Sequence, residues 1–241
     1  MTEGQSMRIL AIDTSGPVCG AAVLDGETVL SEAAAQNKNT HSVSLMPMTE
    51  RCLESAGLSL ADVDALAVTV GPGSFTGVRI GVATVKGLAH GSGKPCIPVN
   101  ALEALAESCG RRDWDGLICP MQDARAGQIY GACFRRGERL TEDRAVRLED
   151  YLEAVRALHQ GPWLFTGDGM RVHRERIREI LGENALLAEP GCCFLRPSAV
   201  ALLAARKGIG AAVDYLHLKE TYLRPPNAEK NKKLLDAMRR V

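Results

Sequence analysis

Apolar runs of membrane-spanning length are missing from this 241-residue chain, which excludes a helical membrane span. Residues 1–6 lack the basic-then-apolar pattern of a secretory signal and are expected to form a flexible extension, with the ordered pattern beginning at Met7. Aromatic residues make up only 4%, so stacking platforms for single-stranded bases are not expected. Net charge is also absent: 29 basic residues balance 29 acidic ones, and any RNA contact must be local. The eight cysteines form no CxxC pair, and they read as buried reduced thiols of a cytoplasmic protein. The adjacent Cys192 and Cys193 have no explanation at this level. The five histidines include no two spaced three or four residues apart, so there is no helical metal pair. No G-x-S-x-G elbow accompanies them, and Gly73–Gly77 is not that motif. No catalytic residue and no metal ligand is assigned.

What is present is a globular composition, 46% hydrophobic, with room for one large domain or two small ones. The most informative stretch runs from Val70 to Gly81 (VGPGSFTGVRIG), between an apolar strand pattern, Ala65–Val70, and a helical pattern, Val78–Ala89. Glycines at 71, 73, 77 and 81 leave the backbone bare for a turn, a ligand or a second backbone. Ser74 and Thr76 then sit at a helix start, where an anion is favoured. Near the N-terminus Asp13-Thr14-Ser15 ends a buried strand, Arg8–Asp13. A carboxylate there either holds Mg²⁺ through water, beside hydroxyls that meet a phosphate, or closes a structural turn. Asp13, Thr14, Ser15, Gly71, Gly73, Ser74 and Thr76 are therefore the candidate nucleotide or phosphate set.

The pattern predicts strands at Cys19–Leu24 and Thr28–Ala33 joined at Asp25-Gly26, a helix at His41–Ala56 holding Pro47, a strand at Cys96–Val99 and a helix at Ala101–Ser108. The plan then restarts with strands at Leu117–Gln122 and Gln128–Arg135, the latter followed by a turn at Arg136-Gly137. Helix Glu149–Leu158, strand Trp163–Thr166, helix Val172–Leu181 and helix Ser198–Lys207 follow. Asp13 and Asp123 stand at matching places before similar hairpins, which suggests a duplicated βββα unit. The expected divisions are 7–110, 111–221 and a basic segment, 222–241, with six basic and two acidic residues. In that segment Arg224, Lys230, Lys232 and Lys233 either meet RNA phosphates or form a solvated tail. Gly167-Asp168-Gly169 reads as a strand-to-helix turn or as an adenosine or phosphate contact.

Taken together, residues 9–15, His41-Ser42 with Leu45 and Pro47, Gly71–Gly81, Asp123-Ala124-Arg125 with Tyr130, Gly167–Gly169 and Tyr222–Pro226 with Ala228-Glu229 resemble the TsaB (YeaZ) family. The resemblance spans nearly the whole chain from Met7. It implies an α/β actin/Hsp70/sugar-kinase-like fold of two subdomains, each a mixed sheet with flanking helices. It also implies a part in making threonylcarbamoyladenosine beside the anticodon of tRNAs that read ANN codons. The implied partners are TsaD, a catalytic paralogue, and the ATPase TsaE, with tRNA as substrate of the assembly and TsaC supplying threonylcarbamoyl-adenylate. In isolation a homodimer is expected.

TsaD proteins carry an HxxxH metal pair after the strand that follows the glycine segment. Here Ala101 and Leu105 stand at those places, and neither side chain can ligate a metal. The resemblance therefore implies a non-catalytic scaffold. Pairing is expected through the first two long helices, at His41, Leu45, Met48, Arg79, Val82 and Lys86. No cofactor is required on this reading, although ATP or ADP with Mg²⁺ could sit at the junction with TsaD. The alternative is an autonomous Mg-ATP-dependent small-molecule kinase or ATPase of the same fold, with Asp13 as metal anchor. A metallopeptidase, suggested by an old glycoprotease label among relatives, lacks any paired histidine.

Overall fold

The computed structural model describes residues 6–36 and 40–224. Its first half is a five-stranded sheet formed by β1 (Arg8–Asp13), β2 (Cys19–Asp25), β3 (Thr28–Ala35), β4 (Ala65–Thr69) and β5 (Cys96–Val99), in the order β3-β2-β1-β4-β5. The three N-terminal strands are antiparallel, and β4 and β5 run parallel to β1. β1 and β4 are near-continuous apolar runs because both of their faces are covered. On one face α1 (His41–Ser55) and α2 (Phe75–Ser92) place Leu45, Cys52, Val78 and Val82 against Leu10, Ile12 and Val68. On the other, α3 (Ala101–Glu107) sets Ala104 and Leu105 against Ile9, Ala11 and Ala67. Pro47 lies inside α1 on its exposed side, where the ladder bond it cannot donate leaves a carbonyl to water.

The second half repeats this plan. Its strands are β6 (Leu117–Arg125), β7 (Gln128–Gly131), β8 (Phe134–Arg135), β9 (Glu138–Arg139), β10 (Arg144–Arg147), β11 (Trp163–Thr166) and β12 (Ala185–Leu187). The order β10-β7-β6-β11-β12 matches the first sheet strand for strand, with β8 added beside β6. Helices α4 (Leu148–Leu158) and α5 (Asp168–Leu181) correspond to α1 and α2, and they cover Leu117, Cys119 and Phe165.

The final helix, α6 (Pro197–Lys207), corresponds to α3, but it lies on the first sheet, with Val200, Ala201 and Ala204 against Ile9 and Ala11. Val213 pairs with Cys96, and Leu218 enters the core under α1 and α2. Residues 197–218, assigned to the second half from sequence, therefore pack on the first. In turn α3 sends Leu102 and Ala106 to Ile118 and Leu164 of the second sheet. Glu107 of α3 and Arg206 of α6 pair at 2.8 Å. Both third helices thus lie between the sheets.

Several boundaries differ from the sequence expectation for local reasons. The single strand expected over Gln128–Arg135 breaks at Ala132–Cys133. There the Ala132 carbonyl accepts from the Tyr151 hydroxyl at 2.8 Å, and the Cys133 amide donates to Thr141 Oγ1 at 2.9 Å. Helix α2 begins three residues before Val78 because Ser74 Oγ caps it, accepting from the Gly77 amide at 3.2 Å. Helix α5 likewise takes in Asp168 and Gly169 as its first turn. Among the described residues no helix is long and apolar enough to cross a membrane, and all eight cysteines are free, with only Cys192 less than fully buried.

Candidate functional site

The C-terminal ends of β1 and β4 lie side by side and bring Asp13 next to Thr69. Asp13 is buried, and its Oδ1 accepts from the Thr69 hydroxyl at 2.5 Å, the Ser15 hydroxyl at 2.7 Å and the Ser15 amide at 3.0 Å. Burial pushes the Asp13 carboxyl above its usual range, against the pull of these donors and of the nearby His41. Thr14 donates from Oγ1 to the Gly77 carbonyl at 2.7 Å, and the Ser74 amide donates to the Ser15 carbonyl at 2.8 Å. The loop after β1 and the start of α2 are therefore bonded directly to each other.

This contact explains the glycine spacing. A Cβ on Gly73 would meet the Ser15 carbonyl, one on Gly77 the Thr14 carbonyl, and one on Gly81 the Thr14 hydroxyl. The second half repeats the device, since side chains at Gly167 or Gly169 would run into the Met121 and Gln122 backbone. The motif Gly167-Asp168-Gly169 is thus the packing seam of α5 on β6.

Between the halves lies an open cleft of about 470 Å³. One wall is Ser15 and Gly16 with the start of α2 at Gly73–Thr76, and the other is Gln122–Arg125, Tyr130 and Asp168. Ser15, Gly73, Ser74 and Thr76 of the candidate set line it, while Asp13, Thr14 and Gly71 lie outside its lining. The amides of Phe75 and Thr76, in the first turn of α2, have no intrahelical acceptor. Gln122 crosses from the second half, its Nε2 reaching Ser15 Oγ at 3.4 Å, and its buried Oε1 has no partner among the described residues. Burial, with the charge of Asp123 adding, raises the Asp168 carboxyl to about 6. Thr69, Gln122 and Asp168 were not singled out individually from sequence. Asp168 lies within the Gly167-Asp168-Gly169 motif noted from sequence, while for Thr69 and Gln122 only the strand-end positions they share with Asp13 and Asp123 could have pointed to them.

The mixed-charge, mostly polar cleft can accept a ligand, but the Asp13–Ser15 groups are a poor phosphate cradle. Their hydroxyls and the Ser15 amide are already bonded internally, and Asp13 faces neutral donors.

The residues expected to form a partner face divide into two groups. Leu45 and Val82 are 1% and 0% exposed and belong to the core, since both point from their helices to the sheet. Met48 is partly buried against that core. His41 is held by the Gly16 carbonyl at 2.9 Å, and Lys86 is half-buried. Arg79 is exposed and lies over the Phe75 ring at 4.4 Å. The outward face of the two helices is instead formed by Val43, Met46 and Pro47 of α1 with Ala83 and Gly87 of α2. Of the basic residues expected to meet RNA, Arg224 is drawn into the cleft wall, donating to the Ala124 carbonyl at 2.7 Å. Lys230, Lys232 and Lys233 lie outside the described residues.

Residues 28–229 match the family model described as TsaD, tRNA N6-adenosine threonylcarbamoyltransferase. A Bacillus subtilis protein named tRNA threonylcarbamoyladenosine biosynthesis protein TsaB is 37% identical over 222 residues, covering 89% of this chain and 96% of that protein. The solved structure of YeaZ from Pseudomonas aeruginosa superposes with a TM-score of 0.72 at 26% identity, covering 90% of this chain and all of the other. The ROK hexokinase of Thermus thermophilus, at 16% identity and a TM-score of 0.50, covers 88% of this chain and all of its own. That last likeness shows the fold alone, of the actin and sugar-kinase type.

Proposed function

The chain belongs to the TsaB family of tRNA threonylcarbamoyladenosine biosynthesis proteins, and from that premise we propose that it is the non-catalytic subunit of the modifying assembly, pairing with TsaD and joined by TsaE. The observation that carries this reading is the pair Ala101 and Leu105. On the resemblance they stand where TsaD proteins carry their metal histidines, and they are 0% and 1% exposed in an apolar layer with Val200 and Ala204. Methyl and isobutyl groups offer no lone pair to a metal, and the surroundings are shaped for packing. The match to the TsaD family model reflects common architecture, and activity requires the site as well as the fold.

The partner surface in this proposal is the outward face of α1 and α2. Val43, Met46 and Pro47 supply apolar area, Met46 adds adaptability, and the small Ala83 and Gly87 admit a neighbouring helix closely. The same face serves a second copy when TsaD is absent. The cleft is the place for ATP or ADP with Mg²⁺ near the junction with TsaD. There the first-turn amides at Phe75 and Thr76 would take phosphate, in place of the internally bonded Asp13–Ser15 groups. Lys230, Lys232 and Lys233 are proposed to meet tRNA phosphates.

The test is reconstitution of threonylcarbamoyladenosine formation from purified partners with this chain alone omitted. Modification should collapse without it, while the chain by itself neither modifies tRNA nor hydrolyses ATP. Unchanged modification in its absence, or turnover by the isolated chain, would overturn the proposal.

A further inference from the structure

The last described residues, Thr221–Arg224, cross the mouth of the cleft and bond to both halves. The Thr221 amide donates to the Val70 carbonyl at 2.7 Å, and the lack of a side chain at Gly71 leaves room for the Thr221 carbonyl. The Tyr222 ring packs on Phe75 with centroids 4.8 Å apart, and its hydroxyl accepts from Arg79 Nε at 3.2 Å. All of these contacts belong to the first half. Two residues later Arg224 Nη1 donates to the Ala124 carbonyl in the second half.

The acceptor is available because the β6–β7 register slips between Asp123 and Arg125, which leaves Ala124 without a partner in that ladder. The turn that follows holds Arg125, Ala126 and Gly127 at φ of 64°, 52° and 71°. Two consecutive left-handed non-glycine residues are a conformation that surrounding contacts must hold in place. A guanidinium is well suited to this, as it stays charged and presents a fixed fork of donors.

We propose that Thr221–Arg224 is an interlobe latch: it anchors on the start of α2 through Tyr222, fastens to the β6–β7 turn through Arg224, and sets how far the cleft opens.

Amide hydrogen exchange on the full-length chain tests the latch. In Arg224→Ala, the amides of Arg125 and Gln128 should exchange roughly five- to tenfold faster, the scale of one lost hydrogen bond. Arg224→Lys, which keeps one donor, should fall between this variant and the wild type. Tyr222→Ala is the decisive arm. Its ring and hydroxyl contacts are Phe75 and Arg79, yet it should accelerate the same β6–β7 amides, with β1 and β4 unchanged. Acceleration confined to the neighbourhood of each substituted side chain, or spread evenly over the whole chain, would overturn the proposal.

Discussion

Thr69 and Asp13 meet through a 2.5 Å hydrogen bond at the buried ends of two parallel strands. The Asp13 carboxylate is thereby committed to the interior of the first half. Thr69→Val should remove a donor from a fully buried carboxyl and cost about 1–3 kcal/mol. Urea unfolding checks this, and an unchanged midpoint would mean that Asp13 is solvated elsewhere.

Asp168 predicts a pH dependence. Its folded value, about 6, lies above the ordinary 3.8, so the native state holds this proton more tightly than the unfolded chain. The stability it contributes is full below about pH 4 and falls as pH rises through about 6. Asp168→Asn should therefore gain about 2–3 kcal/mol relative to wild type between pH 4 and pH 7. Urea titrations of both proteins across that range read the difference, and parallel curves would refute the assignment.

Two glycines of α2 should respond in opposite directions to the same change. Gly77→Ala drives a methyl into the Thr14 carbonyl and should destabilise by about 2–4 kcal/mol. Gly87→Ala meets nothing within 4 Å among the described residues and should stabilise by about 0.5–1 kcal/mol through helix propensity. Thermal unfolding of the two variants separates a packing role from a purely conformational one.

The pairing face can be tested apart from folding. Val43→Arg and Ala83→Arg, on exposed positions of α1 and α2, should abolish association with TsaD and self-association while the melting temperature holds. Leu45→Arg, at a core position, should unfold the monomer instead. Sedimentation beside thermal melting distinguishes these outcomes, and retained pairing in both surface variants would reject this face.

Charge removal in the tail gives a separate readout. Alanine at Lys230, Lys232 and Lys233 in the full chain should weaken tRNA modification and flatten its salt dependence, since each lost phosphate contact reduces the slope by about 0.7–0.9. An unchanged salt response would leave those lysines with no part in binding.

Where the residues carried a strong local signal, the sequence was enough to read the fold. Val70–Gly81, the Asp25-Gly26 hairpin and the apolar runs of β1 and β4 fell into place because turn chemistry and burial agree there. The repeat seen at Asp13 and Asp123 extends through both sheets in strand order. The strands β9, β10 and β12 escaped notice because two or three residues give no pattern and Arg144–Arg147 (RAVR) lacks the apolar run that marks the equally short β5 and β11. The destination of α6 was illegible for another reason: an alanine-rich helix fits either sheet, and only long-range packing decides. Near the cleft, the hydroxyls and glycines stand out in sequence, but the seam they form with each other does not. Whether a bare backbone faces a ligand or a second backbone depends on what lies opposite, and here that is Thr14 and Ser15. Leu45 and Val82 were placed on a partner face because an amphipathic stripe looks the same whether a sheet or another protein covers it.

The placement of α6 and Leu218 bears on how the protein is made. A ribosome releases the first sheet long before the residues that cover its second face, at roughly 5–20 residues per second. Ile9, Ala11 and Ala67 must wait for Val200 and Ala204, a delay on the order of ten seconds. During that interval the nascent N-terminal half presents an apolar surface that only α3 partly shields. A chain cut between its two repeats would leave that surface permanently open, so the repeats are not separable pieces despite their matching strand orders.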